Sequence, residues 1–215
     1  MTRETLKQNA KQQIKGKIGI LLIISLIVFA ISYVANLIPF VGSIANIFFI
    51  NPAFSVATIM IYFKVCDYQE FKVGEIFDGF YHFWGAFKVI FLVGLFTVLW
   101  SLLFVIPGII KGYSYSMALY IWAENKEMGA LEAINKSKEM MDGHKMDYFV
   151  LQLSFIGWGL LTAVTFGIAG IYVIPYVSAT YINFYRSLKP VFTAENFETQ
   201  SAIESVVDAA PESAE

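Results

Sequence analysis

Cysteine is almost missing: Cys66 is the single one, so the chain can form no internal disulfide and no cysteine-based metal cluster. Charge is scarce as well, at 15 % of the 215 residues, where soluble domains carry about 25 %. Histidine occurs twice, at His82 and His144, and no carboxylate pair lies inside an apolar run. A phosphate loop, a dinucleotide fingerprint and a nucleophile elbow are all absent. The chain therefore offers no expected catalytic residue, metal ligand set or cofactor site, and a non-enzymatic role is expected. Nucleic acid is not an expected partner.

What the chain has in excess is apolar surface: 57 % of residues are hydrophobic and 17 % aromatic, with net charge −2. An excess of that size calls for a solvent other than water. Ile18–Ile38 holds 14 Leu, Ile, Phe or Val residues and no charge. At about 0.3–0.6 kcal/mol each, they favour insertion by roughly 4–8 kcal/mol. The run is too long for a signal-peptide core, so it predicts a retained first span. From Tyr148 to Tyr185 there are 38 uncharged residues in succession, enough for two short crossings around Gly167–Gly170. The expected fold is all-α: a polytopic bundle of about six spans, near 18–38, 48–66, 86–104, 106–123, 148–166 and 170–187, paired as three hairpins. Residues 39–51 read as an outer turn or a short re-entrant piece. A basic amphipathic arm over 1–17 precedes the 18–189 membrane domain, and 190–215, with six acidic residues and no Lys or Arg, reads as a disordered tail.

Charge placement predicts orientation. Of 15 Lys and Arg, 14 lie at the segments before span one, between two and three, between four and five, or after six. That asymmetry places both termini in the cytoplasm. Cys66, at the inner end of span two, then serves as a thiol probe reached from inside. Ile-Pro recurs at Ile38-Pro39, Ile106-Pro107 and Ile174-Pro175, at 68-residue intervals, with Pro52 as a rival counterpart in the first unit. Pro39, Pro52, Pro107 and Pro175 thus mark three hairpins in the same orientation, each proline near the start of a returning helix. Each unit opens with an amphipathic segment expected to lie at the cytoplasmic interface. These are the N-terminal arm, a face of Val73, Ile76, Phe77, Phe80, Trp84 and Phe87, and the segment Met128–Met141.

Three stretches then stand out together: Val105-Ile106-Pro107-Gly108-Ile109-Ile110-Lys111 with Ser114-Tyr115-Ser116-Met117; Ala130-Leu131-Glu132-Ala133-Ile134 with Ser137-Lys138-Glu139-Met140-Met141; and Leu153-Ser154-Phe155-Ile156-Gly157-Trp158 followed by Val173-Ile174-Pro175-Tyr176. In these the chain resembles the bacterial membrane family known as domain of unknown function 975, over about residues 75–186. The resemblance implies a multi-pass protein of the bacterial inner membrane and carries no reaction, substrate or catalytic residue with it.

Several residues merit inspection as contacts. Lys111 interrupts an apolar run, and reads either as an anchor snorkelling to the outer interface or as an anionic headgroup or solute contact. Asn46, Asn51 and Gln152 are further polar handles for lipid or solute. Lys7, Lys11, Lys15, Lys17, Lys136, Lys138 and Lys145 are the expected contacts to anionic lipid on the cytoplasmic face. Asp78 and His82, four apart, read as an interfacial pair, and Gly108…Gly112 as a small-residue packing motif. The leading functional expectation is a membrane protein that interacts with lipid, with other membrane proteins or with itself; the alternative is a transporter or permease subunit for a small solute or lipid.

Overall fold

The computed structural model describes the backbone of residues 2–38 and 40–208, and side chains as far as Lys189. It is 82 % helix, with no strand among the described residues. The first helix, α1 (Arg3–Ile14), starts where Thr2 accepts from the Thr5 N–H, and ends before Gly16, which takes the left-handed φ of +80°. Helix α2 (Ile18–Asn36) buries only Leu21 and Ile24 and presents the rest of its apolar surface outward.

The return from α2 differs from expectation. Within the stretch expected as a loop or re-entrant piece, residues 41–51 are helical: α3 (Val41–Ala45) passes through a π-turn over Asn46–Ile50 into α4 (Asn51–Cys66), giving a single 26-residue helix. The wide turn absorbs the missing N–H of Pro52 at the start of α4, so the proline re-registers the helix instead of ending it. Pro39 lies outside the described residues.

A second correction concerns residues 73–87. They form no independent amphipathic helix: a 3₁₀ turn (Val73–Phe77) and α5 (Asp78–Tyr81) pack on α4, and Trp84 and Phe87 already belong to α6 (Phe83–Leu103). Helix α7 (Val105–Tyr115) folds straight back along α6, with Pro107 in its first turn. The Gly108 end of the Gly108…Gly112 motif makes this possible, since a Cβ on Gly108 would stand 2.1 Å from Ser101 Oγ. The expected fourth span then breaks at Ser116–Met117 and resumes as α8 (Ala118–Glu124). Helix α9 (Ala130–Met140) precedes a fifth expected span that is also broken, into α10 (Lys145–Leu153) and α11 (Ile156–Val164). The last, α12, runs Gly170–Asp208, so helix occupies 190–208, where the sequence reads as a disordered tail. No Gly or Pro stands between Val191 and Asp208 to stop it. Pro175 lies a turn and a half inside α12, deeper than a first-turn proline.

Four helical stretches are long and apolar enough to cross a membrane: Ile18–Asn36, Val41–Cys66, Phe83–Leu103 and Lys145–Val164. The amphipathic segments do not float on the bundle. Each docks on the hairpin of another unit: Val73–Tyr81 on α4, α9 on α6, α7 and α8, and α1 on α12. The units are thereby linked in a ring, with α4, α7–α8 and α12 on the inside. The core follows the same plan, with Leu6, Ala10 and Ile14 of α1, Ala133 and Ile134 of α9, and Tyr176, Ile182 and Tyr185 of α12 all buried.

Candidate functional site

The returning helices α4, α7–α8 and α12 enclose a cleft of about 430 Å³, within the roughly 300–1,000 Å³ usual for small-molecule sites. From α4 come Asn51, Ser55, Thr58 and Tyr62. Their spacings of four, three and four put them in one stripe along the helix. Ser116 enters from the α7–α8 break, Tyr120 from α8, and Ser178 from α12 beside Tyr62. Apolar walls are supplied by Val28, Phe54, Ile59, Leu119 and Ile182. The described lining therefore combines neutral hydrogen-bonding groups with hydrocarbon, and holds no charged side chain.

Two further clefts adjoin it. One, of about 360 Å³, lies between α2, α4 and α12 and shares Val28, Thr58 and Tyr62 with the centre. The other, of about 370 Å³, lies between α6, α7 and α10 and shares Ser116. Gln152 lines that one, its Oε1 accepting from the Tyr113 hydroxyl at 2.9 Å.

The sequence-derived handles are thus dispersed. Asn51 reaches the central cleft. Asn46 does not: it is buried on the π-turn, donating from Nδ2 to the Ser32 carbonyl at 3.3 Å, with Oδ1 unpartnered. Lys111 lies over the Trp100 ring, 5.0 Å from its centroid, inside the α6–α7 hairpin. Asp78 and His82 share no hydrogen bond among the described residues, because α5 ends at Tyr81 and His82 caps it. Burial, followed by the Lys126 ammonium, holds the His82 imidazole below its ordinary value against the pull of Asp78. Among the described residues no three His, Cys, Asp or Glu side chains gather to hold a metal. Ser55, Thr58, Tyr62, Ser116, Tyr120 and Ser178 were not anticipated as a site, although the polar stripe on α4 was readable as a spacing.

Charged groups collect at the other feature, where the ends of α4 and α8 meet the middle of α12. Arg186 pairs with Asp67 at 2.7 Å, and Lys189 and the Tyr185 hydroxyl both meet Glu124 at 2.8 Å. Lys64 pairs with Glu75. Of the lysines expected to face lipid, Lys136 pairs with Glu132 and Lys145 with Asp142, while Lys138 is exposed. Lys17 donates to the Gln69 carbonyl. Along α1, Arg3, Lys7, Lys11 and Lys15 recur every fourth residue with no carboxylate partner among the described residues. Lys7 donates to the Ser154 carbonyl, freed by the α10–α11 break, and sits 4.4 Å over the Phe155 ring; Lys11 lies 5.5 Å over Tyr176. Burial first, and then Arg3 and Lys11, hold the Lys7 ammonium below the usual lysine value.

A family model described as Protein of unknown function (DUF975) matches residues 1–111 and 102–191. The chain belongs to this family. The match reaches from α1 into the buried part of α12, so both the α1 cation row and all three helices around the central cleft of this DUF975 member fall within it. No curated protein and no solved structure matches the chain.

Proposed function

We propose that this DUF975 protein is a non-enzymatic, multi-pass protein of the bacterial inner membrane that engages anionic phospholipid through α1. The observation that carries the reading is the placement of Lys7 and Lys11. Their ammonium groups lie over Phe155 and Tyr176, against the apolar stretch Lys145–Val164 and α12, with no carboxylate partner among the described residues. Cations held next to a membrane-crossing segment need a counter-anion, and a lipid phosphate is the one a bilayer supplies. Exposed Ile156, Leu160 and Ile174 nearby offer acyl chains a surface.

Six crossings with both termini cytoplasmic fit the same picture. Gln13 of α1 donates to the Cys66 carbonyl, Arg186 meets Asp67, and Lys189 meets Glu124. These contacts support placing the ends of α1, α4 and α8 and the Arg186–Lys189 segment of α12 on one side.

Vesicle co-flotation of the purified full chain tests the lipid reading. Phosphatidylglycerol vesicles should retain the protein's lipid preference over phosphatidylcholine, and the Lys7→Gln, Lys11→Gln double variant should weaken that preference roughly thirty-fold at about 1 kcal/mol per lysine. An unchanged preference in the double variant would refute the assignment.

A further inference from the structure

Most hydroxyls of the central cleft are used differently from those in the rest of the bundle; Ser116, which bonds to the Tyr113 carbonyl at 2.8 Å, is the exception. Elsewhere in the apolar helices, six serines and threonines bond back to the carbonyl four residues earlier: Ser25 to Leu21, Thr97 to Val93, Ser101 to Thr97, Ser114 to Ile110, Thr162 to Trp158 and Thr180 to Tyr176. That is how a hydroxyl is satisfied within a helix in the absence of water. Ser55, Thr58 and Ser178 make no such bond, although they too stand inside helices. The Asn51 amide and the Tyr120 hydroxyl have no hydrogen-bond partner among the described residues, and Ser178 meets the Tyr62 hydroxyl. Several donors and acceptors therefore converge on one space with capacity left to bond. These groups face the open cleft, so a molecule entering it can bond to them.

The occupant's chemistry follows from the walls. Neither the central cleft nor the neighbouring one between α2, α4 and α12 is lined by an Asp, Glu, Lys, Arg or His side chain. A charged group would enter with no counter-charge, at a large desolvation cost. The neighbouring cleft is mainly hydrocarbon, formed by Leu21, Ile24, Phe29, Ile61 and Ile174, and it meets the polar centre at Thr58 and Tyr62. One polar chamber opening into one apolar arm matches a molecule with an uncharged polar head and a hydrocarbon chain.

We infer that the two clefts together bind an uncharged amphiphile of the diacylglycerol type. Its hydroxyl and ester oxygens bond to Ser55, Thr58, Tyr62 and Ser178, and a chain lies along Leu21, Ile24 and Phe29. The inference rests on the chain being embedded in a bilayer, and not on anionic lipid binding at α1.

The test is titration of the full-length protein, in detergent micelles, with dioleoylglycerol, free glycerol and phosphatidylglycerol, read by native mass spectrometry and by thermal shift. One saturable dioleoylglycerol per chain is expected, with a raised melting temperature and no competition from glycerol. Thr58→Val, which keeps the side-chain shape, combined with Ser55→Ala, should weaken that binding at least tenfold. Ser178→Ala alone should weaken it several-fold and serves if the double variant does not fold. Lys7→Gln with Lys11→Gln should lose phosphatidylglycerol and keep dioleoylglycerol, so failure at α1 and failure at the cleft are separable. Equal competition by glycerol, loss of phosphatidylglycerol in Thr58→Val, or undiminished dioleoylglycerol binding in both cleft variants would each overturn the inference.

Discussion

Ser137 shows how much one hydroxyl can hold. It is fully buried on α9, donates to the Ser114 carbonyl at 2.8 Å, and accepts from the Met117 N–H at 3.1 Å. Those two backbone groups are the ones released where α7 gives way to α8. Irregular backbone inside an apolar bundle survives only when protein or water satisfies it, and here a side chain from another unit does so. Ser137→Ala strands both groups and should cost about 1–3 kcal/mol, the usual penalty for a buried group left unpaired. Denaturant titration in detergent would show this as a lowered midpoint at constant slope, and an unmoved midpoint would mean that something other than Ser137 satisfies the break. Gln13 and Asn183 form a comparable device between α1 and α12, exchanging amide hydrogen bonds of 3.2 and 2.7 Å. It fixes the arm that carries Lys7 and Lys11.

At the scale of elements, close backbone approach decides which helices can meet. A Cβ on Gly79 would stand 1.9 Å from the Ala53 carbonyl oxygen, so α5 rests on α4 backbone against backbone. Gly79→Ala should destabilise the protein by about 1–3 kcal/mol, as overpacking does, and should speed hydrogen exchange across Val73–Tyr81. Gly74→Ala is the matched control, since nothing lies within 4 Å of its added carbon. Equal effects from the two substitutions would mean that the contact does not matter. The same scale shows what could be read beforehand. Spans over Ile18–Asn36 and Phe83–Leu103 were legible because those helices face outward and are apolar all round. Helix α12 carries Tyr172, Tyr176, Tyr181, Asn183 and Tyr185 and buries much of that side, so its composition reports protein neighbours and not lipid. The breaks at Ser116–Met117 and Ser154–Phe155 contain no Gly or Pro, and their partners, Ser137 and Lys7, are remote in sequence, so no local signal announced them. The cleft was half-visible: Asn51 stood out as a polar residue, while the hydroxyls aligned with it on α4 passed as ordinary helix residues.

Taken whole, the molecule is a ring of three hairpins with polar contacts at one end and apolar tips at the other. Phe40, Ile106 and Phe166 are all strongly exposed at the tips. Cys66 cannot report which end faces the cytoplasm, because it is only 4 % exposed, with Gln13 bonded to its carbonyl and its thiol toward Ala179. A cysteine-free Cys66→Ala protein carrying either Glu127→Cys or Ile168→Cys would report it, both positions being exposed. If all three hairpins cross fully, position 127 should react with a membrane-impermeant maleimide only in inverted vesicles, and position 168 only in intact spheroplasts. If only the four longest apolar stretches cross, α7–α8 does not return across the bilayer, and the two positions exchange sides. The contacts of Glu124 with Tyr185 and Lys189 favour the first pattern, since they tie the end of α8 to the α12 segment that also meets Asp67. Labelling in the exchanged pattern would place Lys7 and Lys11 and the Glu124 cluster on opposite faces, and would overturn the six-crossing reading.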